Sequence, residues 1–199
     1  MRGALAFMNP ALLACMAFFV TINVAMMGLQ SFGAALLQGA WGYTPAAAAG
    51  WLTAFIVCAG AGMLAGGFIA AGTGRHERVA AGGTLAAAAV VSLLAAHAVP
   101  SALAGPLACL AGFAIGVVAP SRDMLVRAST PPGATGRAYG IVYSGVDIGA
   151  ALGPAIAGAL LDRGRPDAAY ATVAVALVVT ALLGLEIARR ARRLRPAAA

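Results

Sequence analysis

Six apolar stretches, each long enough to cross a bilayer as a helix, fill nearly all of this 199-residue chain and leave only short connections. Hydrophobic residues make up 62% of the sequence and charged residues 10%, against about half and a quarter in a soluble domain. A water-soluble fold of this length has no means of covering so much apolar surface. In lipid every backbone N–H and C=O must be satisfied internally, which leaves helices or a closed barrel. The runs of Ala, Leu, Val, Gly and Phe lack the strict alternation of barrel strands and select helices. The expected spans are residues 9–36, 46–72, 78–98, 101–121, 137–161 and 168–190, forming one all-α domain over residues 1–199 with a basic tail at 191–199. The first run carries Asn23 and Gln30 and lacks a small-residue cleavage site, so it reads as a helix of the mature protein and not as a signal peptide.

All thirteen basic residues are arginines. Eleven fall on one side of the expected topology, and only Arg163 and Arg165 fall on the other. The positive-inside rule then predicts a multi-pass protein of the inner (plasma) membrane with both termini cytoplasmic. The net charge of +7 is accounted for by topology, and no basic, aromatic-studded surface suggests a nucleic-acid partner. Cys15, Cys58 and Cys109 are odd in number and lie in apolar runs, where they read as packed free thiols. No metal-ligand spacing, phosphate-cradling glycine loop or nucleophile triad occurs, so neither a metal, a cofactor nor an enzymatic activity is expected.

Polar residues inside the spans are the candidates for function. A carboxylate at membrane depth costs several kcal/mol, and Asp147 lies ten residues beyond Arg137, about 15 Å along a helix. Three roles fit it: a proton-coupling site, a binder of a cationic substrate group, or a hydrogen-bonded structural residue. Tyr143 and Tyr139 lie one and two turns away on a similar face and are able to line the same path or to anchor the helix at the interface. Asn23 and Gln30 share a face of the first helix with Met26 and Met27 between them, a pattern that presents amides and soft apolar surface to a substrate or hydrogen bonds to another helix. Pro154 removes one helical hydrogen bond and predicts a kink next to Gly153. Arg122 and Asp123 end the fourth span and suit either a cytoplasmic gate or a solvated helix end. Gly60, Gly62, Gly66 and Gly67, and Gly145, Gly149, Gly153 and Gly158, form small-residue strips on which two backbones can approach closely. Taken together, the strips favour a partner: a homodimer or a separate half.

Aligning Gly67 with Gly158 superimposes two helix ends at an offset of 91 residues, the signature of an inverted 3+3 repeat. On this ground the chain resembles the C-terminal six-helix half of a major facilitator superfamily transporter. Residues 66–79 (GGFIAAGTGRHERV) resemble the loop between the family's eighth and ninth helices, with Gly67, Gly74 and Arg75 matching and Ala71 and Gly72 standing where the pattern has Asp and Arg. Residues 120–163 resemble the following cytoplasmic loop and the eleventh helix, with its Gly-Pro kink at Gly153 and Pro154. The resemblance implies secondary transport of a small-molecule substrate across the bilayer, proton-coupled efflux being one form. It also implies that Gly67, Gly74 and Arg75 belong to a cytoplasmic gate. Since the resemblance begins at the seventh helix, transport is expected to require assembly with another half. The alternative is a truncated, non-transporting remnant or an interaction subunit.

Overall fold

The computed structural model describes residues 10–128 and 135–194, and places six helices there: α1 (Pro10–Trp41), α2 (Pro45–Gly72), α3 (His76–Ala95), α4 (Ser101–Ala128), α5 (Thr135–Leu161) and α6 (Pro166–Leu194). All six are long and apolar enough to span a membrane, and no strand occurs among the described residues. The tail beyond Leu194 and the start of the chain lie outside the described residues.

Local chemistry sets the helix ends. Gly42 and Gly164 take positive φ values of 68° and 66° in the turns after α1 and α5, a conformation that costs glycine nothing. Thr44 caps α2, its Oγ1 accepting the Ala47 N–H at 3.3 Å, and Pro45 opens the helix at a position where its missing N–H is harmless. At the far end, α4 runs seven residues past its expected stop at residue 121 and carries Pro106 and Pro120 inside it. Arg122, Asp123 and Arg127 are therefore helical and not part of a loop. Neighbouring helices make such membrane prolines tolerable, which is why Pro120 fails to end the helix.

The bundle is built from two parallel helix pairs, α1 with α5 and α2 with α4, tied together by α3 and α6. Exchanging α1–α3 for α4–α6 maps the main pairings onto one another: α1·α5 onto α4·α2, and α3·α4 onto α6·α1. This is the inverted 3+3 repeat expected from the offset of the glycines. One core cluster joins α1, α3, α4 and α6 around Leu36, Leu37, Val91, Tyr170 and Leu177; a second lies toward the arginine-rich end around Leu12, Phe18, Phe19, Val126 and Val142.

The glycine strips lie inside these pairs, which corrects their expected role. Gly145, Gly149 and Gly153 of α5 face the α1 backbone at Met16, Val20 and Val24. Gly62 and Gly66 of α2 face the carbonyls of Phe113 and Val117, and Gly112 and Gly116 of α4 face Phe55 and Ala59 in return. Gly158 packs against the Phe32 ring, and only Gly60 and Gly67 point into open space. In lipid no hydrophobic force drives apolar helices together, so close backbone packing supplies the attraction, and these seams consume the glycines that seemed free for a partner.

Candidate functional site

A cavity of about 280 Å³ opens between α1, α2 and α4. From α1 it takes Ile22, Asn23, Met26, Met27 and Gln30, one side-chain face repeated over two turns. Met63, Ile56 and Gly60 of α2 form a second wall, and Ile115, Gly116, Ala119 and Arg122 of α4 form the third. Ile56 and Met63 are 45% and 54% exposed, so the α2 side is the mouth. Gly60 contributes space: a Cβ built there meets nothing within 4 Å.

Polar groups are few and placed at intervals. Asn23 is 7% exposed and donates from Nδ2 to the Phe19 carbonyl at 2.8 Å, which holds its amide against its own helix. Gln30 stands seven residues on, about 10 Å along the axis. Pro120 has no N–H to offer Gly116 four residues earlier, which leaves that carbonyl, on a residue of the cavity wall, without its helical partner.

Arg122 closes the arginine-rich end. Its guanidinium lies 4.4 Å over the Phe19 ring, and its Nε donates to Asp123 Oδ1 at 3.2 Å. Phe19 in turn meets Tyr143 with ring centroids 5.3 Å apart, and Tyr143 stacks on Tyr139 at 5.5 Å. Arg122, Phe19, Tyr143 and Tyr139 thus form one cation and aromatic chain across α4, α1 and α5. Phe19 carried no signal in the sequence, being one aromatic in an apolar run. Arg122 did carry one, since it falls three and six positions after Ala119 and Gly116 and so shares their face.

The structure divides the expected site residues. Asn23 and Gln30 line the cavity together, Tyr143 lies outside it and connects through Phe19 to Arg122, and Asp147 stands apart on the exposed face of α5. That face also carries Tyr143, Ser144, Ile148 and Leu152, and no hydrogen bond or ion pair of Asp147 occurs among the described residues. Of the expected gate, Arg122 and Asp123 pair with each other. Gly74 and Arg75 are exposed at the α2–α3 junction, where the Arg75 N–H donates to Thr73 Oγ1, and Gly67 lies one turn above on α2. No described bond joins this junction to Arg122. Gly153 and Pro154 sit within α5, with Gly153 in the seam against α1.

The whole bundle, and not a motif, decides the family: the profile described as Major Facilitator Superfamily matches residues 11–199. The chain belongs to the major facilitator superfamily. Its members are membrane transporters, in keeping with an open cavity between helices that are related by an inverted repeat. No curated protein and no solved structure matches the chain.

Proposed function

We propose that this chain supplies one wall of a solute pathway and carries out proton-coupled secondary transport of a small solute when joined to a second six-helix half. The observation that supports this reading best is Asp147. It lies about 12 Å into the α5 span that begins at Tyr139, exposed and without a partner among the described residues. A carboxylate facing hydrocarbon there costs several kcal/mol, whereas one facing a water-lined path between two halves exchanges protons at work. The least buried spans are α2 and α5, which the repeat makes equivalent, and α5 carries Tyr143, Ser144 and Asp147 on its open face. The exposed large side chains of α3 and α6 are apolar, such as Leu85, Leu93, Val175 and Leu182, as are Val57, Leu64 and Phe68 on α2. In this reading α2 and α5 face the second half, with the cavity as the solute site and the Arg122 chain as its closure on the cytoplasmic side. The arginine distribution supports cytoplasmic placement of that end in the inner membrane.

The test is transport by the assembled protein in vesicles, with and without an imposed pH gradient. Asp147→Asn keeps shape and hydrogen-bonding capacity and removes proton exchange. It is expected to abolish gradient-driven accumulation while exchange of solute down its own gradient survives. An unchanged pH response would remove Asp147 from coupling, and a chain that stays monomeric in lipid with no six-helix partner would favour a non-transporting subunit.

A further inference from the structure

The chemistry of the cavity restricts what it takes. Arg122 is the one charged residue among those lining it, and its side chain is 19% exposed. Among the described residues its one hydrogen bond runs from Nε to Asp123 on the neighbouring position of the same helix, and its face lies on the Phe19 ring, so the N–H groups of the terminal guanidinium nitrogens remain to meet an oxyanion in their plane. A planar fork of this kind matches a carboxylate in two parallel hydrogen bonds. Asp123 does not line the cavity, so no acid stands there to attract a cation. Beyond the guanidinium the wall is soft and apolar: Met26, Met27 and Met63 surround the space, and thioether sulfur makes favourable contacts with aromatic rings. About 10 Å along α1 from Asn23, Gln30 offers an amide to the far end.

Resting on the transport reading above for its biological sense, we propose that the cavity binds a small amphipathic organic monoanion, its carboxylate on Arg122 and its apolar or aromatic body against the three methionines. Arg122 is paired with Asp123, but only the positive member of the pair lines the cavity, so the wall favours an anion over a cation of equal size. The cavity is formed by three helices of this chain alone, so binding does not await a second half.

Three probes of equal shape separate head-group chemistry from apolar partition: phenylbutanoate, its neutral amide, and phenylbutylamine. Titration calorimetry on the purified full chain in detergent is expected to show phenylbutanoate bound about tenfold or more tightly than the amide, and no saturable site for the amine. Arg122→Gln is expected to bring the anion down to the level of the amide, and Arg122→Lys to recover part of the difference. The comparison of probes on the unaltered chain stands even where Arg122→Gln fails to fold. Equal binding of anion and amide, tighter binding of the amine, absence of any binding, or an Arg122→Gln variant that keeps its preference would each overturn the assignment. Proton-driven transport of a neutral or cationic solute by the assembled protein would uphold transport and remove the anion.

Discussion

Replacing Gly149 with alanine adds a single methyl group at the point where α5 crosses α1. A Cβ there overlaps the Val20 carbonyl oxygen and falls 2.7 Å from Asn23 Cβ and 3.1 Å from the Val24 nitrogen. Unstrained carbon atoms sit about 3.5–4.0 Å apart, so the two helices must separate by about 1 Å. Asn23 is unable to yield by rotating, because the atom in the way is its Cβ, which the backbone fixes. Overpacking of this kind costs up to about 3 kcal/mol, and alanine returns about 1 through its better helix propensity, which leaves a loss of about 2 kcal/mol. Gly60→Ala is the control, since its new methyl meets nothing within 4 Å and only the propensity gain of about 1 kcal/mol remains. The two variants should thus differ by about 3 kcal/mol. Adding Gly153→Ala to Gly149→Ala should cost less than the sum, because one separation of the seam makes room for both. The buried thiols of Cys15 and Cys109 provide the assay: a thiol-reactive dye follows their exposure as the purified protein is heated in detergent. Equal melting of Gly149→Ala and Gly60→Ala would refute the claim that these seams hold the bundle together.

Other outcomes follow from the same geometry. Gly60→Leu fills the cavity from a position with open space, so it should not lower the melting temperature and should reduce solute uptake or phenylbutanoate binding about tenfold or more. Thr180 Oγ1 lies 2.8 Å from Thr21 Oγ1 and links α6 to α1; Thr180→Val should cost about 0.6 kcal/mol in the thermal assay, the usual worth of such a bond within a membrane. Reporter fusions after Arg78 should report cytoplasm and fusions at Tyr43 or Gly164 the opposite side, and reversal at two of these sites would invert the topology.

Hydropathy and turn chemistry made the six spans legible, because length and apolar content are properties of a segment by itself. The second helix illustrates this: its expected start at residue 46 falls one position from Pro45, where Thr44 and Pro45 announce a helix N-terminus. The fourth misled, since Pro120 followed by Arg122 and Asp123 reads as an ending, yet Leu125 and Val126 are buried in the second core cluster and α4 runs on to Ala128. Asn23 and Gln30 were legible as a pair because they share a face. Their cavity was not, because Met63 and Gly60 reach it only through the pairing of α2 with α4, a contact that no local pattern encodes. The glycines show the limit most clearly. Their spacing announced a close approach, but the identity of the approaching helix depends on the assembled bundle.

What the seam glycines touch also determines which of their losses can be repaired. Gly105 faces the Trp51 indole, with the nearest ring carbons 2.5 Å or so from a built Cβ, so a smaller residue at position 51 would relieve a substitution there. Gly62, Gly66 and Gly116 face carbonyl oxygens, and every residue that might replace Phe113, Val117 or Ala59 carries the same carbonyl. No second-site exchange of side chains can make room at those positions. In a library of suppressors, partners should therefore appear readily for Gly105 and be missing for Gly62, Gly66 and Gly116, so that these three behave as fixed points around which the rest of an alanine-rich bundle is free to drift.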